Sequence, residues 1–199
     1  MEFRDVVRRR RMFDRFLDRP VEAGSVERIL DVARRGPSAG FTQGFEFLVV
    51  EGIEHTAPLW DALYPPAERH DFDWSGWLAA PVVIVPLAHK QAYLDRYAEP
   101  DKGWTDKDEA HWPVPYWLFD ASCAAMLILL AVVEEGLGAT IVGMPERGAG
   151  ALRDACGVPD DRDAVCVIAV GHPDPGDVRH LEARGRRRPL DDVVHRQRW

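Results

Sequence analysis

The sequence lacks most of the patterns that would assign a function directly. Its 199 residues contain no HxxxH or HExxH pair, no Ser-His-Asp order with a nucleophile elbow, and no Gly-x-Gly-x-x-Gly after a predicted strand. Zinc hydrolases, serine hydrolases and a Rossmann dinucleotide domain are therefore not indicated. No residue stands out as a catalytic acid or base.

Cysteines are also scarce, and the three present are Cys123, Cys156 and Cys166. Their spacing fits no metal site, they cannot all pair with one another, and the seven histidines form no ligand pattern. The basic N-terminus is not followed by the apolar run of a secretory signal. We expect reduced, buried thiols in a cytoplasmic protein that binds no metal.

Long apolar runs and excess positive charge are absent as well. Residues 117–133 form the longest apolar stretch, which is shorter than the ~20 residues of a membrane span and contains Asp120. The net charge of -8 argues against a general nucleic-acid binder. With 46% apolar and 29% charged residues, the chain has the composition of a soluble globular protein. We expect a small-molecule substrate, with no nucleic acid and no membrane as partner.

Apolar periodicity and helix breakers predict one α+β domain over residues 1–199. Helices are predicted over residues 2–12, from Ser25 as N-cap to before the Gly36-Pro37 pair, and over 117–135 and 149–155; strands are predicted over 45–50, 82–87, 139–142 and 164–170. The helix over 117–135 is apolar around its circumference, which is typical of a helix buried in a core or between subunits. Residues 60–80 and 88–115 are predicted to be irregular, so that 60–115 forms a substrate-covering excursion. Residues 172–199 are predicted to be an extended tail.

Three separated segments together suit a phosphorylated, flat, redox-active ring: the arginines at 8–11, the small-residue turn at 37–43 and the glycine-bounded strand at 136–143. A phosphate monoester is held by two or three Arg or Lys side chains. Arg9, Arg10 and Arg11 near one terminus could supply them, together with the arginines at 186–188 near the other. One arginine run alone is more typical of a solvated surface, but with two runs at opposite termini both interpretations stay open.

The order and spacing of these segments resemble the nitroreductase family of FMN-dependent oxidoreductases. The matching motifs are Arg10-Arg11-Met12-Phe13-Asp14-Arg15-Phe16, Pro20-Val21, Ala33-Arg34-Arg35-Gly36-Pro37-Ser38, Gly136-Leu137-Gly138-Ala139, Gly157-Val158-Pro159, Val170-Gly171-His172-Pro173 and Arg187-Arg188-Pro189-Leu190. They span nearly the whole chain. The resemblance implies a nitroreductase-like fold, with a mostly antiparallel sheet flanked by helices. It also implies an intertwined homodimer with the long helix at its centre.

The resemblance further implies where FMN would bind. The residues that would hold its phosphate are Arg9, Arg10, Arg11, Arg187 and Arg188, and those that would line its isoalloxazine and ribityl chain, partly from the second subunit, are Pro37, Ser38, Ala39 and Gln43. A backbone N–H at Gly143 or Met144 would donate to flavin N5, the atom that accepts a hydride. The candidate substrate contacts are Phe41, Trp74 and Trp104. Ordinary core and loop packing explains these aromatic residues equally well.

The implied activity is a ping-pong oxidoreductase reaction. NADH or NADPH would reduce FMN, and a flat acceptor such as a nitroaromatic or a quinone would then take the electrons. Positioning of the reactants supplies much of the rate in such a reaction, so no catalytic acid is required.

Three alternatives remain open. The Gly40-Phe41-Thr42-Gln43 turn resembles that of the flavin-fragmenting branch that makes dimethylbenzimidazole. Met12, Asp14 and Phe41 stand where the family usually has a serine, a basic residue and an asparagine. A non-catalytic flavin-binding or flavin-free member is therefore a second alternative. The deazaflavin F420 in place of FMN is a third, and the short basic N-terminus gives it no support.

Overall fold

The structure, a computed structural model, describes residues 1–69, 75–177 and 187–199. The helices of this part of the chain are α1 (Phe3–Arg9), α2 (Ser25–Ala33), α3 (Ile53–Leu63), α4 (Ser75–Leu78), α5 (Lys90–Tyr97), α6 (Tyr116–Glu134) and α7 (Gly148–Cys156). The strands are β1 (Phe45–Glu51), β2 (Val82–Ala88), β3 (Gly138–Val142), β4 (Asp163–Ala164) and β5 (Val167–Gly171). The predictions for α6, α7, β1, β2 and β3 are confirmed to within one or two residues.

All strand pairings in the sheet are antiparallel, in the order β1-β2-β5-β3, and β4 pairs with β2. Phe45 pairs with Ala88, and Ala139 pairs with Val170. This register places the start of β1 and the end of β3 towards the same end of the sheet, but at its two opposite edges. The predicted α+β class with a mostly antiparallel sheet is confirmed.

Helices cover both faces of the sheet because successive strand residues point to opposite sides. Val82 and Ile84 pack in a core with α2 and α6, whereas Val83 and Val85 pack in a second core with α3 and α7. The apolar run of β2 is buried throughout for this reason. The result is a three-layer domain with the sheet in the middle.

Helix α6 packs one side into the core and leaves the other side open. Ala124, Ile128 and Val132 are fully buried, whereas Phe119 and Met126 are 52% and 42% exposed. Among the described residues, α6 is the one helix long and apolar enough to cross a membrane, and half of that stretch is buried inside the chain. Core helices of soluble proteins share these properties.

The prediction of irregular structure over residues 60–80 and 88–115 is wrong in part. Helix α3 continues to Leu63, and α4 and α5 lie inside the two segments. Pro58 lies inside α3, where proline normally argues against a helix. The helix is nevertheless supported by burial of Leu59, Trp60 and Leu63 in the core beside α7. Tertiary packing here outweighs the local signal.

Three element boundaries also differ from the predictions. Helix α1 ends at Arg9, and Gly24, with a φ of 82°, occupies the N-cap position of α2 in place of Ser25. The predicted strand over 164–170 is divided into β4 and β5. Between them, the Val165 N–H donates to the Pro86 carbonyl at 2.9 Å. Each strand therefore pairs with a different part of β2.

Candidate functional site

Residues 38–43, between α2 and β1, form a tight turn under backbone strain. Phe41 and Gln43 have φ values of 54° and 53°, in the left-handed region that residues with a Cβ rarely adopt. Ser38 Oγ accepts from the Gln43 N–H at 2.9 Å, and Thr42 Oγ1 donates to the Ala39 carbonyl at 2.5 Å. Strained backbone of this kind clusters at functional sites. The predicted residues Ser38, Ala39, Phe41 and Gln43 thus share one rigid turn, and Pro37 precedes it on the surface.

A buried carboxylate supports the 38–43 turn from below. Asp120, in α6, is only 2% exposed. Its Oδ2 accepts from the Ala39 N–H and from the Tyr93 hydroxyl, both at 2.8 Å. Burial and the hydrogen bond to Asp120 raise the pKa of Tyr93 far above its usual value, so this hydroxyl remains a donor.

Helix α5 supports the turn from the other side. Arg96 Nε donates to the Gly40 carbonyl at 3.1 Å. Gly40 has a φ of 61°, and a Cβ at this position would lie 2.8 Å from Tyr97 Cε2. Glycine is therefore required at position 40 both for the backbone conformation and for the close approach of Tyr97.

Trp104 belongs to an aromatic cluster beside this turn. Its ring centroid lies 4.9 Å from that of Tyr97, 5.4 Å from that of Trp112 and 4.7 Å from that of His111, on which it stacks. Phe41, by contrast, is 78% exposed. Of the three predicted substrate contacts, Phe41 lies on the turn and Trp104 lies close to it, while Trp74 falls outside the described residues.

The N-terminal arginines lie at the opposite edge of the sheet, beside β3. Met12 forms a parallel bridge with Ala139, and the Phe13 N–H donates to the Ala139 carbonyl at 3.2 Å. Arg10 and Arg11 precede this bridge, so they lie near the start of β3. The Arg11 guanidinium donates to the backbone carbonyls of Arg8 and Arg10, and Arg9 is exposed on the last turn of α1. The cationic segment therefore begins in α1, and the backbone pairing of Met12 and Phe13 with β3 fixes where it ends.

Gly143 and Met144 follow the other end of β3. Gly143 is exposed, and a Cβ built on it would meet no described atom within 4 Å. Its carbonyl accepts the Tyr64 hydroxyl hydrogen. Met144 turns its sulfur towards Gly148, where a Cβ would lie 2.1 Å from Sδ. Backbone at the end of β3 is therefore accessible to a flat ligand.

The acidic residue at position 14 has a structural role. Asp14 Oδ1 accepts from Trp77 Nε1 at 3.2 Å. The backbone N–H groups of Asp14 and Arg15 donate to Asp177 Oδ2 at 2.6 and 3.1 Å. Asp177 is itself 4% exposed. These bonds hold the segment that follows Met12 against α4 and against the loop that follows β5.

Arg187 and Arg188 lie in an exposed C-terminal segment. The Arg188 guanidinium donates to the Asp192 carbonyl, four residues along the chain, and His195 stacks on Trp199 with ring centroids 4.0 Å apart. Arg186, the third arginine of this run, falls outside the described residues. The guanidinium groups of Arg187 and Arg188 remain accessible to an anion.

The described residues include no cluster of three or more His, Cys, Asp or Glu side chains arranged to hold a metal ion. Cys123, Cys156 and Cys166 carry free thiols. Burial raises the pKa of Cys166 to about 11, so this thiol is protonated and unreactive near neutral pH.

Apart from Arg187 and Arg188 in the C-terminal segment, the described site residues therefore form two separate groups in one chain. The 38–43 turn lies at the β1 edge of the sheet, and Arg10, Arg11 and Gly143 lie along the β3 edge. The strand order places three interstrand spacings, roughly 14 Å, between the two edges. Sequence reasoning missed Asp120, Tyr93 and Tyr64, which support these groups. For Asp120 the available signal was a carboxylate in an otherwise apolar helix.

Residues 7–172 match the nitroreductase family. A relative from Archaeoglobus fulgidus, provisionally named an NADH dehydrogenase/NAD(P)H nitroreductase, is 28% identical over 96% of this chain and 94% of its own. A nitroreductase family protein from Clostridium difficile 630 has the same fold, with a TM-score of 0.73, 21% identity and full coverage of both chains. An FMN-dependent nitroreductase from Clostridium difficile R20291 aligns with a TM-score of 0.67 at 23% identity over 98% of each chain. The chain therefore belongs to the nitroreductase family of oxidoreductases.

Proposed function

We propose that this protein is an FMN-dependent oxidoreductase that takes a hydride from NADH or NADPH and reduces a flat acceptor, such as a nitroaromatic or a quinone, in a ping-pong reaction. The observation that carries the proposal is the combination of a cationic segment with open backbone along β3 and a strained turn that presents Phe41. A flavin requires these features, because its phosphate needs cations and its ring needs a flat, accessible surface. FMN, when bound, supplies the hydride chemistry.

Each group of residues has a distinct part in this proposal. Arg9, Arg10 and Arg11, with Arg187 and Arg188, bind the phosphate by charge-assisted hydrogen bonds. The exposed backbone at Gly143 and Met144 contacts the ring, and the 38–43 turn covers its other parts. Phe41, exposed in the left-handed region, stacks on the acceptor and excludes water from it.

The proposal includes a homodimer with two equivalent sites. One chain holds the turn and the cationic segment at opposite edges of its sheet, so a second copy is needed to bring one of each together. The exposed side of α6, with Tyr116, Phe119 and Met126, offers an apolar surface for this association. A two-fold axis would make the contact self-complementary and create both sites at once.

The visible absorption spectrum of the purified protein tests the cofactor, followed by release of any chromophore and determination of its mass. We expect an oxidised flavin spectrum, FMN as the released species and close to one FMN per chain. A protein that stays colourless after FMN is added would contradict the proposal and favour a flavin-free member. A released chromophore with the mass of a deazaflavin would show that the cofactor is F420 and not FMN.

Oxidation of NADH and of NADPH with menadione or nitrofurazone as acceptor tests the reaction. We expect steady turnover, with the flavin spectrum restored when the acceptor is in excess. Progressive loss of flavin absorbance in the presence of oxygen would instead identify flavin fragmentation. If FMN is bound but no acceptor supports turnover, the result would favour the non-catalytic flavin-binding member.

A further inference from the structure

Asp120 is a carboxylate in a place that otherwise favours apolar side chains. It lies in the first turns of α6, next to a cluster formed by Phe45, Ala88, Tyr93, Trp117, Ala121 and Ala124. In the described part of the chain its hydrogen-bond partners are the Ala39 N–H and the Tyr93 hydroxyl, and no cation pairs with it. A buried carboxylate that is compensated only by neutral donors is costly, and an apolar residue would avoid that cost. The role of the Asp120 carboxylate must therefore lie in the groups that it binds.

What Asp120 holds is Ala39, the second residue of the strained 38–43 turn. The Ala39 N–H is bound to Oδ2, and Gly40, Phe41 and Gln43 all follow with positive φ. A left-handed residue with a Cβ is unfavourable and persists only where its surroundings over-determine it. The Ser38–Gln43 and Thr42–Ala39 hydrogen bonds lie within the turn itself and cannot fix it relative to the domain. The bond from Asp120 connects the turn to the buried side of α6.

We propose that Asp120 is a positioning residue of the flavin site: its buried carboxylate locks the 38–43 turn onto α6 through the Ala39 N–H, with Tyr93 orienting the carboxylate. This inference rests on the proposed function for its consequence, the binding of FMN. The locking of the turn is a property of the protein alone. The two parts can therefore be measured separately.

Hydrogen–deuterium exchange followed by mass spectrometry, in the absence of FMN, measures the locking directly. In Asp120→Ala we expect amide exchange in peptides covering 38–43 to be roughly tenfold faster, because the Ala39 N–H loses its acceptor. Peptides from β2 and β5 should keep their protection. Asp120→Asn retains a neutral oxygen, which is a weaker acceptor than a carboxylate, so an increase of about threefold is expected.

Asp177→Ala is the matched control. It also removes a buried carboxylate that accepts two hydrogen bonds, in this case from the backbone of Asp14 and Arg15. Exchange should then rise over residues 13–17 and stay unchanged over 38–43. Raised exchange over 38–43 in this control as well would show a general loss of stability and overturn the proposal.

FMN affinity, measured by quenching of flavin fluorescence, tests the consequence. We expect Asp120→Ala to bind FMN roughly tenfold more weakly and Asp120→Asn about threefold more weakly, in parallel with their exchange rates. Folded Asp120→Ala with unchanged exchange over 38–43 overturns the proposal, and so does faster exchange with unchanged affinity. If Asp120→Ala does not fold, Asp120→Asn is judged by the same two measurements. Wild-type protein that binds no FMN would instead refute the proposed function, while the exchange data would still decide the role of Asp120.

Discussion

Tyr64, which follows the last residue of α3, donates its hydroxyl hydrogen to the backbone carbonyl of Gly143 at the end of β3. In a trans peptide the carbonyl and the next N–H point in opposite directions, so this bond also orients the Met144 N–H. Burial raises the pKa of Tyr64 to about 12, which keeps the hydroxyl protonated over the working range of pH. Tyr64 therefore controls the backbone that the proposal places next to the flavin ring.

Removal of that hydroxyl should loosen the backbone around Gly143. We expect Tyr64→Phe to weaken FMN binding by about threefold to tenfold, as measured by fluorescence titration, because one hydrogen bond to the ring-facing peptide is lost. Thr56→Val, which removes another hydroxyl of α3 that donates to a backbone carbonyl, that of Ala80, is the control. Equal affinities for the two variants would contradict a role for Tyr64 in the site.

Mutation tests the proposal that Arg187 and Arg188 bind the FMN phosphate. The double variant Arg187→Ala with Arg188→Ala should lose at least a factor of ten in FMN affinity, since a hydrogen bond to a charged group contributes about 1.5–3 kcal/mol. The effect should shrink at high salt, where exposed charges are screened. Arg196→Ala with Arg198→Ala changes the charge of the same exposed segment equally and should leave the affinity unchanged. Similar losses of FMN affinity in both double variants would show a general charge effect and contradict a specific phosphate contact by Arg187 and Arg188.

The exposed side of α6 is testable through the mass in solution. Met126 is 42% exposed within one chain, so Met126→Asp should cost the monomer little. If α6 forms the dimer contact, the added charge is buried there without a partner and separates the two chains. The molecular mass measured by light scattering should then fall from twice 22.5 kDa to 22.5 kDa. Leu127→Asp, next to it and partly buried, should dissociate or misfold. Ala155→Asp, on the exposed side of α7, is the control, and an intact dimer for Met126→Asp would reject this interface.

Alkaline pH should destabilise the protein through Cys166. Burial raises the pKa of this thiol from 9.0 to about 11, so between these values the unfolded state loses a proton that the folded state keeps. The free energy of unfolding then falls with rising pH by about 1.4 kcal/mol per pH unit. Denaturant titrations from pH 8 to about pH 11 should show this slope setting in above pH 9 in wild type, and a shallower one in Cys166→Ala. If the free energy of unfolding falls equally steeply with pH in both proteins, Cys166 is not the cause of the alkaline destabilisation.

The sequence was a reliable guide where local patterns decide the structure. The apolar run of β2, the glycine after α6 and the Gly157 stop of α7 all depend on backbone and burial preferences within a few residues. It was a poor guide where distant parts of the chain decide. The burial of α3 around Pro58 and the bridge between Met12 and Ala139 depend on partners far away in the sequence.

The same distinction between local patterns and distant partners applies to the candidate site. The small-residue turn, the arginines and Gly143 could be selected from motifs alone. The supports of the site could not, because Asp120 reaches Ala39 across 81 residues and Tyr64 reaches Gly143 across 79. No local spacing signals such a pair. The departures at Met12 and Asp14 were visible in the sequence, but only the fold shows that one pairs with β3 and the other accepts the Trp77 indole N–H.

The placement of the two residue groups at opposite edges of one sheet has a genetic consequence. A chain that lacks Arg10 and Arg11 and a chain with a disrupted 38–43 turn would each be inactive by themselves. If the protein forms the proposed homodimer, co-expression of these two chains would give mixed pairs in which one site receives both intact groups and the other receives neither. Two null alleles of this gene should therefore complement one another to about half of the activity per mixed pair, which two alleles in the same group cannot do.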